Sequence, residues 1–252
     1  MERALLSLNQ VNKNFGGLRV INDVSFAVTA GSRTALIGPN GAGKTTLFNL
    51  ISGVYELDNG SIQLDDLDIS HIPSHARCRY GLSRSFQNIR LMPHLSTVEN
   101  VMLGQHSRAG MAGMLFPLGI GRNRWVREAE EALHNAGLDS YRGQIVADLP
   151  YGIQKRIEVI RALMAQPKLL LLDEPAAGLN ASETDALLEL LNRISEEGVT
   201  LLVVEHDMNF VSRLCQQVVV LNFGEKIFQG TPQQAQQERA VLEAYLGTDH
   251  VA

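Results

Sequence analysis

No stretch of the chain approaches the ~18 uninterrupted apolar residues that a membrane-spanning helix needs, although 45% of the 252 residues are hydrophobic. A spanning segment is therefore not expected, and any service to a membrane would be given from outside the bilayer. The opening residues MERALLSLNQVNKNF bring charge at once and hold no long apolar run, so no secretory leader is expected either. Cysteine is scarce. Cys78 and Cys215 stand far apart, with neither CxxC nor zinc spacing, which argues against a disulfide framework and for reduced, structural thiols in the cytosol. Basic residues hold no surplus, with 22 Lys and Arg against 27 Asp and Glu, so the wholesale positive footprint of a nucleic-acid binder is absent. No repeat of fixed period and no low-complexity tail is visible. The length suits one large domain, or a domain with a smaller appended lobe.

Alternation and turn residues organise what is present. Short strands are expected at 5–11, 25–28 and 61–64, punctuated by Gly16-Gly17, Ala30-Gly31 and Asn59-Gly60. A buried strand over 33–37 runs into a glycine-rich loop and then a helix over about 44–52 that Gly53 can cap. Residues 104–121 hold five glycines and one proline among Met, Leu and Phe, and read as a long surface excursion. Helical spacing returns at 125–136, stopped by Gly137, and again at about 152–165, ended by Gln166-Pro167. Strand and helix then alternate: strand 169–172, helix 182–197, strand 200–204, helix 208–215, a hairpin over 217–229 turning at Phe223-Gly224-Glu225, and a helix start at Thr231-Pro232. Alternation on both sides of a helical middle predicts an α/β core with an inserted helical lobe.

Two motifs carry chemistry. Gly38-Pro39-Asn40-Gly41-Ala42-Gly43-Lys44-Thr45, followed by Thr46, fits G-x-x-x-x-G-K-[ST] without a gap. Glycines let successive backbone N–H groups point into one hollow, Lys44 adds a charge for terminal phosphates, and the Thr45 hydroxyl can sit on Mg²⁺. The helix that follows aims its positive end at the same anion. The second motif is Leu169-Leu170-Leu171-Leu172-Asp173-Glu174-Pro175. A strand buried on both faces reads as such an apolar run, and its carboxyl end is where α/β sheets place ligands. Asp173 can hold Mg²⁺ through water, and Glu174 can polarise an attacking water.

With these residues in place, the chain resembles the ATP-binding subunits of ABC transporters over essentially its whole length. Four more segments match that family in order. Gln87, within Ser85-Phe86-Gln87-Asn88, looks like the Q-loop glutamine; Leu149-Pro150-Tyr151-Gly152-Ile153-Gln154 resembles the signature motif; Ala177-Gly178-Leu179-Asn180 is similar to the D-loop; and His206 looks like the switch histidine. Phe15 sits where the family places an aromatic that stacks on adenine. The resemblance implies an α/β P-loop NTPase core with an N-terminal antiparallel β subdomain (1–87 and 166–252 together) and a helical signature lobe at about 88–165. It implies that ATP is hydrolysed by water that Glu174 polarises, with His206 and Lys44 stabilising γ-phosphate charge. Gln87, Thr45 and Asp173 would order Mg²⁺.

It implies partners as well. In the family two ATP-binding subunits pack head to tail, alike or unlike, so the 149–154 segment meets the partner's ATP. Membrane-spanning permease subunits would complete the transporter, a periplasmic solute-binding protein would feed it, and no nucleic acid is involved. The expected location is the cytoplasmic face of a bacterial inner membrane. The signature departs from the common LSGGQ: Pro150 replaces the serine whose hydroxyl meets γ-phosphate, Tyr151 the first glycine, and Ile153 the glutamine. One lost hydroxyl contact to a charged group costs ~1.5–3 kcal/mol, which implies a weaker site completed by this segment and fits a heterodimer.

The stretches RSFQNIRLMPHLSTVEN (84–100), EPAAGLN (174–180), VEHDM (204–208) and the close from Asn222 to Gly247 resemble one subgroup, the bacterial branched-chain amino-acid importers with the related urea and amide importers. A lipid-exporter ATPase and a soluble relative acting on DNA or ribosomes are the alternatives. The 104–121 excursion, with Met111, Met114, Leu115 and Phe116, is either a permease-docking surface or a loop packed on its own lobe. The cluster Arg122, Arg124 and Arg127 reads as a solvated face.

Overall fold

The structure is a computed structural model that describes residues 3–85, 89–106, 108 and 122–246, with the backbone alone at 122, 123 and 246. Gln87 and nearly all of the 104–121 excursion therefore lie outside the described residues, as does the close of the chain from 247.

Among the described residues, ten strands form two sheets. β1 (Ala4–Phe15), β2 (Leu18–Thr29), β4 (Asn59–Leu64) and β5 (Leu67–Asp68) make an antiparallel sheet in the order β2-β1-β4-β5. The first two are far longer than the expected 5–11 and 25–28, because the pairing carries through bulges between Leu8 and Val11 and onward to Phe15 opposite Leu18. β3 (Arg33–Ile37), β6 (Leu82–Arg84), β7 (Leu169–Asp173), β8 (Thr200–Val204), β9 (Gln217–Asn222) and β10 (Glu225–Gly230) make the second sheet, ordered β10-β9-β3-β8-β7-β6. All of its pairs are parallel except the β9–β10 hairpin.

The apolar runs explain the layering. Leu169 and Leu171 pack into one core and Leu170 and Leu172 into another, each fully buried, as the period-two alternation of a strand requires. Burying one such leucine contributes ~1.5–3 kcal/mol relative to leaving it in water. On one face lies α1 (Lys44–Ile51), whose Leu47, Phe48, Leu50 and Ile51 sit between the two sheets. On the other face lie α6 (Ala181–Glu196) and α7 (Met208–Leu214). Three further helices, α3 (Thr97–Leu103), α4 (Arg122–Asn135) and α5 (Tyr151–Leu163), pack on one another. α2 (Ser74–Arg77), α8 (Pro232–Ala235) and α9 (Arg239–Leu246) are the remaining α-helices among the described residues.

Strand β6 and helix α3 had no counterpart in the sequence reading. β6 has three residues, too few for periodicity to register. α3 opens with a full capping box, the Ser96 hydroxyl accepting from Glu99 N–H and the Glu99 carboxylate from Ser96 N–H. No described helix is long and apolar enough to cross a membrane.

Candidate functional site

Four adjacent parallel strands end side by side, and each end delivers one part of the site: β3 the 38–45 loop, β8 Glu205 and His206, β7 Asp173 and Glu174, β6 Arg84. This is the edge at which open α/β sheets bind ligands.

The loop after β3 is curled by glycines in the left-handed region, Gly38 at φ 150°, Gly41 at 81° and Gly43 at 100°. Two of them have no room for a side chain. A Cβ on Gly38 would lie 2.2 Å from the Leu221 carbonyl oxygen, and one on Gly43 2.8 Å from Ile21 Cδ1. Gly224 N–H donates to Ala42 O at 3.0 Å, so the β9–β10 turn props the loop from below. Lys44 Nζ donates to Gly38 O at 2.7 Å and Pro39 O at 3.0 Å, closing the loop on itself. Burial lowers the Lys44 ammonium, and the charge of Glu174 opposes that shift. Asn40, Gly41 and Thr45 are exposed and Thr46 half-buried. Because the first-turn N–H groups of α1 lack intrahelical acceptors, the curled loop, the helix end and the ammonium fit a polyphosphate.

Asp173 closes β7 and is buried at 7% exposure. Its Oδ2 accepts from Arg84 Nη2 at 2.8 Å. Glu174 follows at φ 44°, a left-handed conformation held by its N–H donating to Val204 O at 2.9 Å. That turn sends the Glu174 side chain toward the next strand end, where His206 Nδ1 lies 3.8 Å from its Oε1. His206 is mostly exposed and its backbone is fixed by Glu205, whose carboxylate accepts from Ala176 N–H at 3.0 Å and His206 N–H at 3.1 Å. Glu205 is buried, and burial pushes its carboxyl up from the ordinary range. A carboxylate and a hydroxyl, Asp173 and Thr45, are oxygen donors of the kind that suit Mg²⁺.

The 149–154 segment stands at the start of α5. Pro150 is the N-cap residue and makes no side-chain cap bond. Leu149 is buried, Ile153 packs on the core, and Gln154 Nε2 donates back to Leu149 O at 2.8 Å. Tyr151 is exposed, and a Cβ on Gly178 would lie 3.2 Å from its Cε1; one on Gly152 would lie 2.6 Å from the Glu183 carboxyl carbon. The segments at 149–154 and 177–180 thus pack on each other within the chain. Phe15, half-exposed at the end of β1, meets Tyr55 edge to face with centroids 5.2 Å apart. Lys13 Nζ stands 5.5 Å from the Phe15 ring.

Three residues at this edge escaped the sequence reading. Arg84 and Glu205 border motif residues by one or three positions, but only the sheet order brings Arg84 to Asp173. Lys155, buried at 3%, is held below the usual ammonium range by burial, opposed by the charges of Glu158, Glu205, Asp173 and Glu174. The single available signal was its place one turn into α5 among otherwise amphipathic spacing.

Comparison with known proteins bears on the family and the fold. The ABC transporter family model matches residues 21–177, and a branched-chain amino acid ATP-binding cassette transporter model matches residues 225–251. The high-affinity branched-chain amino acid transport ATP-binding protein BraF of Pseudomonas aeruginosa is 39% identical, covering 98% of this chain and 99% of its own. The corresponding LivG protein of Escherichia coli K12 is 37% identical over the same shares. Among solved structures, the ADP conformation of an ATP-binding cassette of an ABC transporter superposes with a TM-score of 0.87 at 26% identity, covering 97% of this chain and 99% of that one. The chain belongs to the ABC transporter family, as one of its ATP-hydrolysing cassettes.

Proposed function

We propose that this chain is the ATP-hydrolysing subunit of an importer for branched-chain amino acids, working from the cytoplasmic face of a bacterial inner membrane. The observation that carries the reading is the convergence of the 38–45 loop, Asp173, Glu174 and His206 at one sheet edge, in a chain whose 225–251 segment matches the branched-chain cassette model. Two relatives named for branched-chain amino acid transport, matching along nearly their full length, support it.

The chemistry follows from the strand ends. The loop amides and Lys44 hold the β- and γ-phosphates, and Phe15 stacks on the adenine. Thr45, Asp173 and Gln87 hold Mg²⁺, which when bound neutralises charge on the phosphate oxygens. Glu174 accepts the proton of the water that attacks the γ-phosphorus, as the bond to ADP breaks; such a base contributes ~10²–10⁴-fold. His206 and Lys44 stabilise charge on the transferred group. The 149–154 segment meets the nucleotide of a second cassette, identical or not, so that ATP joins two subunits and hydrolysis releases them. Residues 1–87 with 166–252 form the nucleotide-binding core and about 88–165 the signature lobe. Permease subunits receive the closing motion, and a periplasmic binding protein delivers the solute.

The test is capture of the tagged chain from membranes, with uptake of labelled leucine measured in cells lacking it. Two membrane-spanning proteins should co-purify, and leucine uptake should fall. Capture of ribosomal or DNA-bound partners alone, with uptake intact, would refute the proposal.

A further inference from the structure

Arg84 ends β6 with a side chain only 12% exposed. Its Nη2 donates to Asp173 Oδ2 at 2.8 Å, while Nη1 donates to Asn49 Oδ1 at 2.6 Å and Ser52 Oγ at 2.9 Å. Its Cζ lies 5.0 Å from the centroid of the Phe48 ring, within cation–π range. Phe48 and Asn49 belong to α1 and Ser52 closes that helix. One guanidinium thus spans from the helix that leaves the phosphate loop to the carboxylate at the end of β7.

We infer that Arg84 is a positioning residue that holds Asp173 as its resident counter-cation and competes with the divalent ion for that carboxylate. The inference rests on the proposed role of Asp173 toward Mg²⁺. Physical chemistry gives the reason for the arrangement. Asp173 is 7% exposed, and a buried carboxylate without a partner is costly. A guanidinium remains charged at any working pH and donates from a planar fork, so it neutralises Asp173 and fixes its rotamer. The bond to Asp173 is made by one nitrogen, and the other nitrogen's bonds to Asn49 and Ser52 keep the guanidinium in place if Asp173 turns to another cation. The cost of that exchange sets how much free divalent ion the site requires. A purely structural arginine would leave the requirement unchanged.

The experiment uses the purified full-length chain and a fluorescent ATP analogue, with affinity followed from excess EDTA through rising free Mg²⁺. Arg84→Gln removes the competing charge and should lower the Mg²⁺ concentration for half-maximal tightening about tenfold, which is about 1.4 kcal/mol, with affinity in EDTA nearly unchanged. Arg84→Lys keeps a charge but loses the fork, and should shift the requirement the same way by a smaller factor. Thermal melting establishes that each variant is folded, and if Arg84→Gln does not fold, Arg84→Lys alone decides. Asp173→Asn should abolish the Mg²⁺ dependence; if it keeps the normal requirement, the role of Asp173 is wrong. If Asp173→Asn does abolish it while a folded Arg84 variant needs as much Mg²⁺ as the parent or more, the inference about Arg84 is overturned and the role of Asp173 stands.

Discussion

His206 Nδ1 lies 3.8 Å from Glu174 Oε1, just beyond hydrogen-bond reach. The two residues come from neighbouring strands, and the left-handed backbone at Glu174 aims the carboxylate across the gap. Neither side chain is needed to hold the core: the histidine is 65% exposed and the glutamate 27%. Glu174→Gln should therefore fold normally, bind ATP with the parent affinity and lose hydrolysis by ~10²–10⁴-fold, the usual worth of a general base. His206→Ala should lower turnover as well while leaving ATP affinity within a few-fold. Steady-state phosphate release paired with equilibrium nucleotide binding reads both effects. A Glu174→Gln chain that hydrolyses at the parent rate would remove Glu174 from its assigned role.

Buried charge behind this pair gives a pH signature. Glu205 is 1% exposed, and burial raises its carboxyl above its ordinary 4.5, against the bonds it accepts from Ala176 and His206. Above the folded-state value the group is ionised in both states, and its desolvation weakens the fold. As pH falls through that raised value the folded chain takes up a proton while the unfolded chain does not, so stability rises. The gain is complete once pH reaches the unfolded value. Urea unfolding of the parent against Glu205→Gln should show the parent gaining on the variant by up to about 1.4 kcal/mol per pH unit within that window, and no further below it. Measuring both in a His206→Gln background separates the effect of Glu205 from that of the side chain 3.9 Å away. A difference that is flat, or that falls as pH drops, contradicts the assignment.

The division between what the residue order revealed and what it hid has a physical basis. The parallel strands were legible because burial on both faces leaves a continuous apolar run, as in Leu169 to Leu172, and the phosphate loop because its glycines are spaced by the demands of φ and close approach. Fold class, core strands and the α1, α5 and α6 helices followed from such local signals. Arg84 was opaque for the opposite reason. Its partners include Asn49, Ser52 and Asp173, and nothing within β6 announces that this strand pairs with β7 at the sheet edge. The long β1–β2 pairing was cut short because its bulges interrupt alternation. The α3 capping box, Ser96 to Glu99, was a readable signal that a search led by apolar period passed over.

Arg77 is the other arginine that only the fold explains. It is 1% exposed and donates to the carbonyls of Leu50 at 2.8 Å, Ile51 at 2.6 Å, Ile72 at 2.7 Å and Ser70 at 3.3 Å. It satisfies the last carbonyls of α1, the helix whose other end faces the phosphate loop. Burial lowers its guanidinium to about 10, with Asp68 opposing. Arg77→Met keeps the stem and removes this donor from all four carbonyls, of which Leu50 O keeps the Gly53 N–H, at ~1–3 kcal/mol for each buried acceptor left unpaired, offset by release of a desolvated charge. A net loss of about 2–3 kcal/mol is expected in chemical denaturation, with a drop in nucleotide affinity if α1 shifts. Arg77→Lys should recover less than half, since one ammonium cannot reach four carbonyls.

Pro150 offers the sharpest test of the unusual segment before α5. It is the N-cap residue at φ −55° and ψ 146°, and it makes no side-chain cap bond. A serine can adopt the same extended backbone and add a hydroxyl acceptor for an amide of the first turn, which at an N-cap contributes ~0.5–2 kcal/mol. Pro150→Ser should therefore raise the stability of the isolated chain even without nucleotide, detectable as a higher melting temperature. If the proposed head-to-tail pairing also holds, the same hydroxyl gains a charge-assisted contact to the partner's phosphate, worth ~1.5–3 kcal/mol. A head-to-tail homodimer makes that contact twice, so its ATP-dependent dimerisation should tighten by about two to four orders of magnitude, which size-exclusion chromatography of the Glu174→Gln background can read. Ile153→Gln is the contrasting change. The Ile153 side chain packs on the core, so the substitution should cost stability without tightening the dimer. Stabilisation by Pro150→Ser with dimerisation unchanged would confine the effect to helix capping and separate the 149–154 segment from the partner's nucleotide.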